Sequence, residues 1–235
     1  MLDFIKVVIL GIVEGITEWL PVSSTGHLIL VGSVLKPGLS DAFMEMFDVV
    51  IQLGAIMAVV VLYFHKLNPF SPRKSERQKM LTWQMWIKVA IASVPAAIVG
   101  LLFNDYLDAI FYKPVPVAIM LIVYGVLFII IEDKHRGKQP KVTRISQLTL
   151  KMLLWIGVFQ MLALIPGTSR SGATIVGALL IGVSRETAAE FTFFLAIPVM
   201  FGASLLKLLK FGLAFSAAEF GFLMLGCIVS FGVSI

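Results

Sequence analysis

The sequence predicts an all-α integral membrane protein built as a single membrane domain, with five membrane-spanning helices, two re-entrant helical hairpins and an inverted internal repeat. Three observations lead there. Of the 235 residues, 59% are hydrophobic and only 14% are charged, against about 25% charged in an ordinary soluble domain. Five apolar runs approach the length of a bilayer-spanning helix, about 20 residues. Two further apolar stretches are broken by polar, Pro/Gly-bearing turns and resemble each other. The composition excludes a soluble globular enzyme, a nucleic-acid binder and a disordered chain. The net charge of +5 is what topogenic loop lysines and arginines leave in a membrane protein. The one cysteine, Cys227, lies in an apolar run and has no disulfide partner. The start of the chain lacks a basic region and a small-residue cleavage site, so a removable signal peptide is not expected.

In chain order, the first element is a broken apolar segment, 4–34, which contains Glu14, Glu18, Pro21, Ser23, Ser24, Thr25, Gly26 and His27. Spans follow at 46–64, 87–103 and 114–131. The second carries Pro95, which membrane helices tolerate where neighbours satisfy the freed backbone groups. A second broken segment, 152–183, contains Gln160, Pro166, Gly167, Thr168, Ser169, Arg170, Ser171 and Gly172. Spans at 187–208 and 213–235 complete the chain. Neither half of a broken segment is long enough to cross alone. Irregular backbone at membrane depth is tolerated only under cover of protein or water. Both segments therefore read as hairpins meeting in a cavity.

Eleven of the 19 basic residues fall in two loops. Lys66, Arg73, Lys74, Arg77 and Lys79 follow the first span. Lys134, Arg136, Lys138, Lys141, Arg144 and Lys151 follow the third. Two spans separate these loops, so both lie on one side, which the positive-inside rule makes cytoplasmic. The intervening loop carries Asp105, Asp108 and Lys113. His65 and His135 sit in the basic loops and need no further role.

The broken segments match at an offset of 146: Gly11 with Gly157, Glu14 with Gln160, Ser23 with Ser169, Thr25 with Ser171 and Gly26 with Gly172. Ser24 faces Arg170 and His27 faces Ala173 as mismatches. The first hairpin starts and returns outside, three spans follow, and the second starts and returns inside. An odd number of crossings inverts the second unit, 145–235, relative to the first, 1–144. Such repeats place a site at their interface near the bilayer midplane. The first unit has three spans and the second two, so a sixth, C-terminal helix is expected beyond the sequence.

The chemistry concentrates in the two turns. Glu14 and Glu18, four apart, share one helix face. Two carboxylates at membrane depth persist if they share a proton, bind a cation or face water. A hard divalent ion with oxygen ligands suits the pair. A solvated pair at the membrane surface is the plain alternative, disfavoured by apolar flanks and by Pro21 in the same turn. Ser23, Ser24, Thr25 and Gly26 open the helix 28–34, where hydroxyls serve as helix caps or, with free amides, as phosphate ligands. His27, on the first turn, is a packed histidine or, beside a serine and two acids, an acid/base group. Arg170 costs about 2.5–3.5 kcal/mol at a bilayer centre on insertion scales. Its fork fits phosphate oxygens, or it serves as structural partner to Glu14 or Glu18. Ser169, Ser171, Gly172 and Thr174 share its turn. There is no zinc-type cluster, P-loop or dinucleotide fingerprint. The set fits phosphoryl transfer or phosphate-ester hydrolysis on a lipid.

The run Glu14-Gly-Ile-Thr-Glu18-Trp-Leu-Pro-Val-Ser-Ser-Thr-Gly-His27, followed downstream by Pro166-Gly-Thr-Ser-Arg170-Ser-Gly-Ala-Thr174, resembles the undecaprenyl-diphosphate phosphatases, the bacitracin-resistance BacA-type family. The stretch Phe47-Asp-Val-Val-Ile-Gln52-Leu-Gly-Ala also looks like that family, and the resemblance covers essentially the whole chain. It implies hydrolysis of undecaprenyl diphosphate to the monophosphate and inorganic phosphate. That activity recycles the lipid carrier for cell-wall synthesis at the outer face of the bacterial plasma membrane and confers bacitracin resistance. It implies a divalent cation, Mg²⁺ or Ca²⁺, at Glu14 and Glu18. It also implies catalytic roles for Glu18, Ser24, His27 and Arg170: Ser24 as nucleophile, or an activated water in its stead, His27 as proton partner, and Arg170 on the phosphates. Ser23, Thr25, Gly26, Ser169, Ser171, Gly172 and Thr174 would complete the phosphate site. The expected partners are a polyprenyl diphosphate lipid, the bilayer and a second copy of the chain as a homodimer; nucleic acid is not expected. The rival reading is a transporter or flippase of the carrier, which has no need of a serine–histidine–arginine cluster.

Overall fold

The computed structural model describes residues 2–212 and 214–235. Its elements are α1 (Leu2–Thr17), α2 (Ser24–Leu35), α3 (Asp41–Val50), α4 (Gln52–Leu62), the single turn α5 (Phe64–Leu67), α6 (Glu76–Phe111), α7 (Pro114–His135), α8 (Leu150–Met161), α9 (Arg170–Leu180), α10 (Arg185–Phe211) and α11 (Ala217–Ser234). Short 3₁₀ turns at Ile145–Gln147 and Leu162–Leu164 flank α8. Seven helices start at a serine or threonine whose oxygen accepts a first-turn N–H: Ser23, Ser40, Ser75, Thr149, Ser169, Ser184 and Ser216. α7 starts instead on Pro114, whose fixed φ suits the first helical position.

Five stretches are long and apolar enough to cross a membrane: Asp41–Leu62, Glu76–Phe103, Pro114–His135, Arg185–Phe211 and Ala217–Ser234. The expected spans are all present, with shifted ends. The first starts earlier, at the Ser40 cap, and is broken at Ile51 into α3 and α4. The second belongs to a 36-residue helix whose first turns are polar: the Ser75–Gln78 capping box starts it ahead of the apolar run. Arg77 and Lys79 are therefore helical rather than loop residues, as are Asp105 and Asp108 at its far end. The last expected span, 213–235, begins in the structure at Ala217; Leu213 lies outside the described residues.

Two apolar cores hold the helices. In one, Leu10 of α1, Leu28 of α2, Phe43 and Phe47 of α3 and Leu223 of α11 are buried together. In the other, Ile56 of α4, Val89 of α6, Ile156 of α8 and Phe191 and Phe194 of α10 meet. α1 packs on α2 and α11, α8 packs on α9 and α6, and α10 lies against α3, α4, α6 and α9. Backbones approach closely where a glycine leaves room. A Cβ at Gly157 would lie 2.6 Å from the Ala92 carbonyl oxygen, and one at Gly11 would lie 3.1 Å from the Gly226 carbonyl oxygen.

Ion pairs and clamps mark the two ends of the bundle. At one end the Gly38 N–H donates to Asp3 Oδ1 (2.9 Å) and Lys6 Nζ donates to the Lys36 carbonyl (2.8 Å), so the start of α1 and the end of α2 are tied together. The Gly38 donor also holds the Asp3 carboxyl below its ordinary pKa. Lys207 pairs with Glu45 and Asp108, and Lys210 with Asp105, at this end. At the other end the Lys141 N–H donates to the Gly182 carbonyl (2.8 Å), and Lys88 Nζ donates to the carbonyls of Ile145 (2.8 Å) and Ser146 (2.6 Å). Lys66 pairs with Glu190, and Arg185 with Glu132. The basic loops belong to this second end.

Candidate active site

The turns after α1 and before α9 meet inside the bundle. A Cβ at Gly26 would stand 3.2 Å from Gly167 Cα, and one at Gly172 would stand 3.3 Å from the Pro21 carbonyl oxygen. Gly167 has φ +94°, and a Cβ there would press within 2.7 Å of the Val117 carbonyl oxygen; only glycine suits that position. Ser23, the cap of α2, holds φ 66°, and its Oγ accepts from the Gly26 N–H at 3.3 Å. Ser169 caps α9 in the same way, accepting from the Gly172 N–H at 3.0 Å. Two helix N-termini thus point into one space.

At their junction is a three-residue chain of polar contacts. Arg170 Nη2 donates to Glu18 Oε1 at 2.6 Å, and the Ser24 hydroxyl donates to Glu18 Oε2 at 2.6 Å. The Arg170 and Glu18 side chains are 13% and 11% exposed, enough burial to strengthen the pair and little enough to admit a ligand. Arg170 Nη1 reaches the Thr192 carbonyl at 3.3 Å. Ser24 has one proton, and it is directed at Glu18. Glu14, one helical turn earlier, is fully buried, and neither of its carboxylate oxygens has a hydrogen-bond partner among the described residues. His27 Nδ1 lies 2.8 Å from the Ser23 carbonyl oxygen. A carbonyl only accepts, so Nδ1 carries the proton and Nε2 is the nitrogen left for proton chemistry.

A cavity of about 370 Å³ opens onto this chain. Glu18, Ser23, Ser24, Thr25, Ser169, Arg170 and Ser171 line it, whereas Glu14 and His27 are not among its lining residues. Thr174 is buried beneath, its hydroxyl 2.9 Å from that of Thr192 and donating toward the Arg170 carbonyl (3.0 Å). It therefore braces the turn from behind, as do Gly26 and Gly172 through their close backbone contacts.

Residues 7–235 match the family described as Bacitracin resistance protein BacA. The chain belongs to the BacA family. Its sequence is 63% identical over 233 residues to an undecaprenyl-diphosphatase of Enterococcus faecalis, covering 98% of this chain and 84% of that protein. It is 62% identical over 235 residues to an undecaprenyl-diphosphatase of Acetivibrio thermocellus, covering 100% of this chain and 86% of the relative. A Lactococcus lactis undecaprenyl-diphosphatase is 60% identical over 243 residues, covering 99% and 86%.

Three residues of this BacA-family site went without a role in the sequence. Gln52 lines the cavity and donates to Thr25 Oγ1 at 2.8 Å. Tyr112 also lines it and donates to Asp48 Oδ2 at 2.8 Å. Thr192 of α10 holds both Arg170 and Thr174. Gln52 and Asp48 carried a signal, being polar groups inside an apolar span. Thr192 carried none, since a threonine in a membrane helix commonly bonds its own backbone. Among the described residues, no three or more His, Cys, Asp or Glu side chains form a group that could hold a metal ion.

Proposed function

We propose that the chain is an integral-membrane undecaprenyl-diphosphate phosphatase that releases inorganic phosphate and returns the monophosphate lipid carrier for cell-wall synthesis, with bacitracin resistance as the consequence. The observation that carries this reading is the Ser24–Glu18–Arg170 chain at the meeting of two helix N-termini, in a chain about 60% identical to proteins named for that activity.

The residues divide the work. Arg170 and the Ser23, Thr25, Ser169 and Ser171 hydroxyls, with the first-turn amides of α2 and α9, hold the diphosphate and take up charge as the bridging bond breaks. The attacking oxygen is that of Ser24 or of a water in its place, and Glu18, 2.6 Å from the Ser24 hydroxyl, accepts its proton. The polyprenyl phosphate leaves. If Ser24 attacks, a phosphoserine forms and water then hydrolyses it to phosphate, restoring the hydroxyl. His27 Nε2 is the second proton-handling group. Glu14 and Glu18 are the residues that would hold Mg²⁺ or Ca²⁺: Glu14, behind the cavity wall one turn from Glu18, keeps two buried carboxylate oxygens unpartnered, and such oxygen donors suit a hard cation. When bound, that ion supplies charge neutralisation on the diphosphate.

The setting supports a lipid substrate and outward access. Beyond the polar end the cavity is walled by small and apolar residues of α6 and α10, among them Ala97, Leu101, Gly202 and Ala203. These four are also exposed on the helix surface, so the wall is open sideways to lipid, the path we assign to the prenyl chain. A cavity of this size is at the small end of the range of about 300–1,000 Å³ for small-molecule sites, so a long chain must leave it. Asp108, Tyr112 and Lys207 line the same cavity at the end away from the basic loops, which supports an opening to the outer face of the plasma membrane.

Two re-entrant hairpins in an inverted repeat organise this site. The matched neighbours support it: α1 lies on α11 as α8 lies on α6, α4 on α11 as α10 on α6, and α1 on α2 as α8 on α9. The two ends of the first hairpin are clamped at one face of the bundle and those of the second at the other. Phosphate release from undecaprenyl diphosphate by the purified protein in detergent, with and without EDTA, tests the proposal. No release from the lipid would sink the activity, and undiminished turnover in EDTA would sink the cation.

A further inference from the structure

We infer that Gln52 is a positioning residue that fixes the Thr25 hydroxyl as a hydrogen-bond donor to the substrate's phosphate oxygens; this rests on the diphosphate reading of the cavity. Gln52 begins α4, at the break between the two halves of the first span, and is 7% exposed. A buried carboxamide in an apolar helix is costly unless its groups are used. Its Nε2 lies 3.0 Å from the Asp48 carbonyl oxygen and 2.8 Å from Thr25 Oγ1.

The Asp48 carbonyl can only accept, so it fixes which end of the amide faces these two atoms: the nitrogen. The same nitrogen must then donate to Thr25, whose oxygen accepts. A hydroxyl has one proton and two lone pairs. With a lone pair taken by Gln52, the proton is free to point elsewhere, and among the described residues it is donated to no protein acceptor. Thr25 and Gln52 both line the cavity that contains Ser24 and Arg170. The hydroxyl is therefore a pre-set donor facing the place where phosphate charge gathers, oriented before the substrate arrives. Glutamate at this position would reverse the bond. It would accept the Thr25 proton and set a second negative charge beside an anionic substrate.

A double-mutant cycle on the detergent-purified full chain decides this, read as kcat and KM for undecaprenyl diphosphate. Gln52→Met and Thr25→Val are each expected to lower kcat/KM about tenfold, the range of one hydrogen bond to a charged group. The Gln52→Met/Thr25→Val double variant is expected to be no worse than Thr25→Val alone, because Gln52 acts through Thr25. Gln52→Glu, nearly isosteric, is expected to fall below Gln52→Met. Thermal melting of each variant separates a folding loss from a positioning loss; should Gln52→Met fail to fold, Gln52→Glu against wild type carries the test. Losses that multiply in the double variant, wild-type kinetics in Gln52→Met, or a Gln52→Glu enzyme as active as wild type would each overturn the inference. A wild-type chain that releases no phosphate would instead overturn the phosphatase reading itself.

Discussion

Arg170 and Glu18 hold each other 2.6 Å apart, and neither side chain is replaceable at neutral cost. Removing one partner of a buried pair leaves the other charge unpaired, a loss of about 3–5 kcal/mol, so alanine variants mix stability with chemistry. Conservative changes separate them. Arg170→Lys keeps the charge and loses the fork; Glu18→Asp keeps the charge but withdraws the carboxylate from Ser24 by one methylene. Both are expected to fold, with melting temperatures near wild type, and to release phosphate about 10²-fold more slowly. Rates near wild type would remove that residue from the mechanism. Ser24→Ala is expected to lose at least as much, and trapping of radiolabelled phosphate on Ser24 in the wild type distinguishes a covalent step from attack by water. Glu18, Ser24 and Arg170 were all legible as polar residues in apolar runs. Their mutual bonds were not. Helical spacing puts Glu14 and Glu18 on one face, yet it is Glu18 that bonds Arg170 and Ser24 at 2.6 Å, while Glu14 is fully buried and does not line the cavity. Similarly, the expected proton partner of Ser24 was His27, whereas the hydroxyl bonds Glu18.

At the scale of elements, the two turns work because backbone meets backbone. Gly167→Ala would strain a φ of +94° and drive a methyl against the Val117 carbonyl, costing about 1–3 kcal/mol. A lower melting temperature with an accompanying loss of turnover is the expected result; an unchanged melting curve would deny the close approach. Gly202 is the opposite case. Nothing lies within 4 Å of a Cβ placed there, yet it lines the cavity wall. Gly202→Leu is therefore expected to fold normally and to reduce turnover of undecaprenyl diphosphate more than that of farnesyl diphosphate. Equal effects on both chain lengths would argue against the prenyl path between α6 and α10. The helix starts were readable only roughly: the apolar runs put them at 46, 87, 187 and 213, whereas Ser40, Ser75, Ser184 and Ser216 cap α3, α6, α10 and α11. The break at Ile51 was not, because neither Gly nor Pro marks it.

For the whole molecule, the distribution of charge is the basis of the proposed orientation. Lys207 and Lys210 are paired with acids at one end, and Lys66 and Arg185 at the other. With Cys227 changed to serine, single cysteines at Ser75 and at Tyr106 are expected to react with a membrane-impermeant thiol reagent from opposite sides of the membrane. Labelling of both from one side would refute the topology and, with it, the outward-facing cavity.

By itself the sequence determined that the chain is helical, that five stretches are long and apolar enough to cross a membrane, and where polar residues interrupt the apolar runs. Those are local properties. A backbone in hydrocarbon must satisfy its own hydrogen bonds, a span needs about 20 apolar residues, and a charge among them is too costly to be idle. The tertiary structure alone decided which of those residues touch. Glu18 and Arg170 are 152 positions apart, and Gln52 and Thr25 are 27 apart. Their contacts depend on how two hairpin tips and a broken span pack together, and no periodicity within one segment encodes a distance to another.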